Sequence, residues 1–332
     1  MRKSIYILFL ILVVSGCNGK ISPEKRGIRL NVGVSGLDTE TKAPYVEGEF
    51  TASVWFSYTP GSYPDNPSGD ENLPNRIVTT FTSDNASDIR DEAGKLLQYP
   101  IKDNGNTPVY CTGFYPSDGW NIDVSQNPYS VTHAIDGVSD LMFAEQIAGS
   151  YQENFGNFTF EHLLTWISFN ASATSLDAAA IWGNLTGLTI TTPQCSLTVN
   201  LTSDLKSPRS VDYSGGSLVV AVTDQSTPLT VKATDLGSAL CAPPYAKVID
   251  SKTYYGYDIS VSTSGINVSK SIFVPLYGTD RHPIADPQQA TGKQFVMSLY
   301  FNEVSVVSGV CTLKYWEDER EDLYVDRPTQ TS

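Results

Sequence analysis

IRLNVGV, residues 28–34, sets Ile28, Leu30, Val32 and Val34 at every second position, with Arg29, Asn31 and Gly33 between them. Successive side chains of an extended strand point to opposite faces, so this spacing predicts a β-strand with one aliphatic face buried. The same period of two recurs along the chain. Ala52, Val54, Phe56 and Tyr58 alternate with Thr51, Ser53, Trp55 and Ser57. Cys195, Leu197, Val199 and Leu201 repeat it, as do Leu218, Val220 and Val222, then Leu229, Val231 and Ala233. Tyr255 to Val261, Ile272 to Leu276 and Phe295 to Phe301 continue it. Clusters of Pro, Gly, Asn and Asp at 59–72 and 277–292 read as long exposed loops. Helical signals are confined to 87–97 and 175–184, the second with Ser175 as N-cap and Gly183 as its stop. Many short strands with almost no helix predict an all-β chain of sandwiches rather than a parallel sheet.

At the N-terminus, Arg2 and Lys3 precede an apolar run from Ile5 to Val14, the order of a secretory signal. The run is too short to cross a bilayer, which needs about 20 apolar residues. The tetrad Val14-Ser15-Gly16-Cys17 resembles the bacterial lipobox. That resemblance makes residues 1–16 a lipoprotein signal peptide, Cys17 the acylated first residue of the mature chain and residues 17–27 a tether. Acyl chains anchor strongly, since each buried methylene contributes about 0.8 kcal/mol.

The full chain carries a net charge of −14, and losing Arg2 and Lys3 leaves 20 basic against 36 acidic residues, a net −16. A surface this acidic repels phosphate backbones, so nucleic acid is not an expected partner. Only 17% of residues are charged while 11% are aromatic, the balance of a chain with a core rather than a disordered acidic tail. The length exceeds one sandwich and predicts two, at 28–150 and 151–332, divided near the polar segment 148–157. Cys111, Cys195, Cys241 and Cys311 remain after export; buried thiols and one or two disulfides are both open.

Catalytic chemistry finds no purchase in these residues. His133, His162 and His282 are isolated, and neither HExxH, a nucleophile elbow nor a phosphate loop occurs. His162 falls between Phe158, Phe160, Leu164 and Trp166 at strand spacing and reads as a packed residue. The acidic run 317–326 reads as a solvated face, and 65–72 lacks the spacing of a calcium loop. The chain is therefore expected to be no enzyme, with no cofactor and no metal. Trp55, Trp120, Trp166, Trp182, Trp316 and the YYGY of 254–257 supply either core packing or platforms for sugars.

Four segments, in order behind the lipobox, resemble the fimbrillin family, the lipoprotein pilins of Bacteroidales that build type V pili. Residues 41–58 resemble the family's T-[RK]-A element and early strand, and VYCTGFYPSDGW (109–120) its aromatic strand ending in Tyr-Pro. Asp140 to Ala144 fill the block D-L-[ML]-[YF]-A. Phe160, His162, Leu164, Thr165, Ile167 and Phe169 fill F-x-H-x-L-[ST]-x-I-x-F. Residues 292–316 are similar to the closing hairpin that finishes on Trp.

The resemblance implies two tandem transthyretin-like β-sandwich domains and a subunit of a cell-surface pilus. In the family, the lipidated precursor reaches the outer membrane surface, a protease trims the first strand, and a neighbour's strand replaces it. Residues 28–34 suit that part, since burying four aliphatic side chains contributes roughly 6 to 12 kcal/mol before costs. Lys42, in the polar loop 35–45, is the candidate cleavage site, and Leu323, Tyr324 and Val325, ended by Pro328, are a short candidate donor strand. The implied partners are other pilin subunits, the outer membrane through the lipid, and a host or bacterial surface receptor. Stalk, tip and anchor roles stay open. The competing readings are a surface lipoprotein that binds glycan through loop aromatics without polymerising, and a calcium-dependent adhesin.

Overall fold

The computed structural model describes residues 26–35, 49–61, 73–82, 85–123, 125, 129–201, 210–266, 269–304 and 307–313. Cys17, Lys42, Leu323, Tyr324, Val325, Trp316 and the segments 65–72 and 317–326 lie outside them. The fold is all-β.

The first strands are β1 (Arg29–Ser35), β2 (Glu49–Ser57), β3 (Arg76–Thr82), β4 (Asn85–Asp88) and β5 (Val109–Tyr115). After them come β6 (Asn121–Asp123), β7 (Ser130–Ala134), β8 (Met142–Gly149) and β9 (Asn157–His162). Seven of these make one sheet in the order β3-β2-β5-β8-β9-β1-β4. Segment 148–157, expected to divide the chain, is the turn between β8 and β9, so the chain changes sheets at Leu163–Leu164 instead.

β10 (Thr165–Ala173), α1 (Leu176–Trp182), β11 (Asn184–Thr192), β12 (Ser196–Asn200), β13 (Ser210–Ser214), β14 (Leu218–Thr223) and β15 (Thr227–Pro228) follow. The last strands are β16 (Thr234–Cys241), β17 (Tyr245–Ile249), β18 (Lys252–Thr263), β19 (Lys270–Tyr277), β20 (Gln294–Phe301) and β21 (Val307–Leu313). All of these strands but β12 and β13 form a ten-stranded sheet in the order β14-β11-β18-β19-β21-β20-β10-β16, with β15 on β11 and β17 on β18. Its ends curl together: a Cβ on Gly237 of β16 would lie 3.5 Å from the Val222 carbonyl oxygen of β14. The result is barrel-like, with Phe169, Ile190, Tyr257, Phe295 and Phe301 inside.

A third sheet, β13-β12-β7-β6, is composite, because β7 from the first half pairs with β12 from the second. It covers the outer face of the first sheet. Trp55, Phe114 and Phe143 face Val131, Leu197 and Val199 there, with Trp55 and Phe114 rings 5.0 Å apart. This corrects the reading of β2 as half-buried: from Ala52 to Ser57 both of its faces are covered.

The helix at 175–184 forms as its caps require. Ser175 Oγ accepts from Ala178 N at 3.0 Å, and Gly183 ends it with φ +67°. No helix forms at 87–97. The Asp91 carboxylate accepts from Ala93 N and Lys95 N, and Gly94 takes φ +78°. These turn the segment back on itself, so Arg90 bridges Leu96. Leu229–Ala233, expected as a strand, is the turn before β16, held by Ala173 N donating to Thr230 O. Cys111, Cys195, Cys241 and Cys311 are free thiols, all but Cys195 buried.

Candidate functional site

Ile28, Leu30 and Val32 project into the first core with at most 1% exposure, and Val34 packs half-buried beside them. The alternation of the sequence thus lands on the core face in register, while Arg29 and Asn31 face solvent. On one side β1 runs parallel to β9, with Asn31 opposite Asn157, Val32 opposite Phe158 and Val34 opposite Phe160. On the other side it pairs antiparallel with β4, from Arg29 opposite Asp88 to Val32 opposite Asn85. β1 is therefore the second strand from the edge, and the one outside it is four residues long.

Residues 89–99 complete the outer wall, which sequence reasoning missed. Ile28 N donates to Leu97 O at 2.8 Å, Ile89 N to Ile28 O at 3.0 Å and Tyr99 N to Arg26 O at 3.1 Å. The Asp91 to Gly94 turn was the available signal. Gly27 is fixed here by close approach, since a Cβ would sit 2.4 Å from Leu96 Cδ2. Outside the core, Arg29 Nε contacts Asp88 Oδ1 at 2.5 Å and Asn31 Nδ2 donates to Asn157 Oδ1 at 2.8 Å. The ion pair is exposed and contributes at most about 1 kcal/mol, so apolar burial dominates the hold on the strand.

The floor beneath β1 is aromatic. Phe160 packs at 5.2 Å from Phe50 and 5.9 Å from Phe81, and Phe158 at 5.3 Å from Phe160. Tyr99 closes one end. Its hydroxyl donates to Asn154 Oδ1 at 2.7 Å and accepts from Phe155 N at 3.0 Å, and burial pushes its pKa up. Without β1, the five strands β3-β2-β5-β8-β9 stay contiguous while β9 presents an unpaired edge above this floor.

The remaining predicted residues fall elsewhere. His162 is packed at the end of β9, as its spacing predicts, with Nδ1 2.6 Å from Asp140 Oδ2. Trp55, Trp166 and Trp182 are buried, Tyr257 is fully buried, and Trp120 packs on Phe114 and His133. All but Trp120 sit on strands or the helix rather than in loops.

The family model of the prokaryotic membrane lipoprotein lipid attachment site matches residues 1–18. No curated protein matches the chain in sequence. Among solved structures, a candidate cell adhesion protein of Bacteroides uniformis is similar over 88% of this chain and 99% of its own. It is 12% identical with a TM-score of 0.51, a likeness of fold. A candidate cell adhesion protein of Bacteroides ovatus covers 89% of this chain and 99% of its own, at 16% identity and a TM-score of 0.49.

Proposed function

We propose that this chain is a non-enzymatic structural subunit of a cell-surface pilus, exported as a lipoprotein and assembled by exchange of β1 for a strand from a neighbouring copy. The placement of β1 carries the reading. A central strand could not leave without dividing the sheet, and a strand outside the core would leave nothing to refill. β1 is deeply buried on one face, yet among the described residues only β4 and the 89–99 turn lie beyond it.

Magnitudes favour replacement over simple loss. Burying Ile28, Leu30 and Val32 contributes roughly 5 to 9 kcal/mol at about 1.5 to 3 each. That is comparable with the whole net stability of a domain, about 5 to 15 kcal/mol. A subunit stripped of β1 is therefore short-lived unless another strand fills the trench by main-chain pairing and alternate side chains. Cleavage after Lys42 would free β1, and the segment carrying Leu323, Tyr324 and Val325 would supply the replacement. The lipid attachment match supports anchoring of the precursor at Cys17, and the outer membrane surface is where the subunit would assemble. The candidate cell adhesion protein of Bacteroides uniformis, similar in fold, agrees with a surface fibre that meets a host or bacterial receptor.

The test is limited digestion of the purified mature chain with a trypsin-like protease. SDS-resistant ladders whose subunits begin at Ala43 are expected. Cleaved protein that stays monomeric overturns the proposal.

A further inference from the structure

On the outer surface of β16, β10 and β20 lies a groove of about 390 Å³, within the range of small-molecule sites. We propose that it binds a neutral oligosaccharide. The inference does not rest on strand exchange and holds for a monomer or a fibre.

Along β10, Ile167, Phe169 and Ala171 point into the barrel core, which turns Ser168 and Asn170 outward into the groove, while Trp166 on the same face is buried at its end. β20 adds Gln294 and Val296 opposite Trp166 and Ser168. β16 contributes through an irregularity. Its register against β10 shifts between Phe169 and Asn170, so that Phe169 faces Gly237 and Asn170 faces Asp235. Leu236 is the extra residue and turns into the core. In regular pairing Leu236 would stand opposite Asn170. The bulge replaces that leucine with a carboxylate, the re-aiming that bulges perform beside binding sites. Gly237 permits it at φ +103°, and its N–H donates to Asp235 Oδ1 at 2.9 Å. Gln294 is only 3% exposed, yet its Nε2 reaches Ser168 Oγ at a weak 3.5 Å, leaving donor capacity within the groove.

Two carboxamides, hydroxyls and one carboxylate match the vicinal hydroxyls of a sugar, which both donate and accept. Trp166, buried against Leu240 and Ala242, bounds one end of the groove. Among the described residues that line the groove none is cationic, and the whole chain carries −14. Sialylated and sulfated glycans are therefore disfavoured by charge.

The full mature chain is applied to arrayed galactose-, mannose- and N-acetylglucosamine-terminated oligosaccharides beside sialylated and sulfated counterparts. Neutral glycans are expected to bind. Asn170→Ala should weaken the best of them at least tenfold without changing the melting temperature, and Asp235→Ala, which also removes the acceptor for Gly237 N, at least tenfold in protein that stays folded. Ser238→Trp, which fills the groove, should abolish binding. Three results overturn the proposal: no neutral glycan bound at millimolar concentration, a preference for anionic glycans, or affinity held within twofold in the folded variants.

Discussion

Asp140 and His162 form a buried pair, with Oδ2 2.6 Å from Nδ1 and neither side chain more than 5% exposed. The pair ties the entry of β8 to the end of β9, the strand on which β1 lies, just before the chain crosses to the second sheet. Among the described residues, Asp140 Oδ1 and His162 Nε2 have no protein partner. Removing one residue strands the other polar group in the interior, which costs far more than an exposed pair. His162→Ala is expected to lower unfolding stability by about 3 kcal/mol, read as a fall in the urea midpoint at unchanged slope. A loss under about 0.5 kcal/mol would show that the pair holds nothing together.

Thiol chemistry follows from burial. Cys111, Cys241 and Cys311 lie in the cores, where desolvation pushes each thiol's pKa well above its ordinary value. Thiolate is the reactive form. In a chain beginning at Asn18, a disulfide-exchange reagent at pH 8 is expected to modify Cys195 alone in the native state. All four thiols should react in urea, and reductant should not change the native mass. Rapid native modification of more than one thiol contradicts this packing.

Asp136 shapes the turn that delivers Asp140. Desolvation raises its pKa, but bonds from Ser139 Oγ at 2.6 Å, Ser139 N at 2.7 Å and Val138 N at 2.8 Å outweigh it and bring the carboxyl below 3.8. Because the folded value lies below the unfolded one, the stabilisation is present above pH 3.8 and is lost as pH falls through the folded value. Asp136→Ala should cost about 1 kcal/mol at pH 7, the scale of a net hydrogen bond at an exposed turn. Thermal unfolding compared at pH 7 and at the acid limit checks it, and a difference that widens in acid reverses the sign argued here.

Strand positions were legible wherever the period of two met a strand with one wet face. β1 is such a strand, and Ile28, Leu30 and Val32 take the buried side as their spacing dictates. The helix 175–184 was legible because its cap and stop residues act locally. β2 was misread on one face because what covers it, the composite sheet of β7 and β12, is assembled from segments some 65 residues apart. Periodicity carries no information about such long-range pairing. The 87–97 segment failed for the opposite reason: local turn chemistry at Asp91 and Gly94 outweighed helical spacing. Of the candidate site, the inserted strand was readable. Its walls at β4 and 89–99, and its parallel neighbour β9, became visible only in three dimensions.

The central claim is that β1 is the element exchanged. Asn31 and Asn157 stand directly opposite each other on β1 and β9, and their side chains meet outside the core at 2.8 Å. Asn31→Cys with Asn157→Cys, in a Cys195→Ser background, provides a disulfide that ties the strand in place. After protease treatment, the oxidised protein should be cut after Lys42 yet remain monomeric on SDS gels, and ladders should appear once dithiothreitol opens the bond. Ladders that form undiminished while the disulfide is closed would show that another part of the molecule joins the subunits.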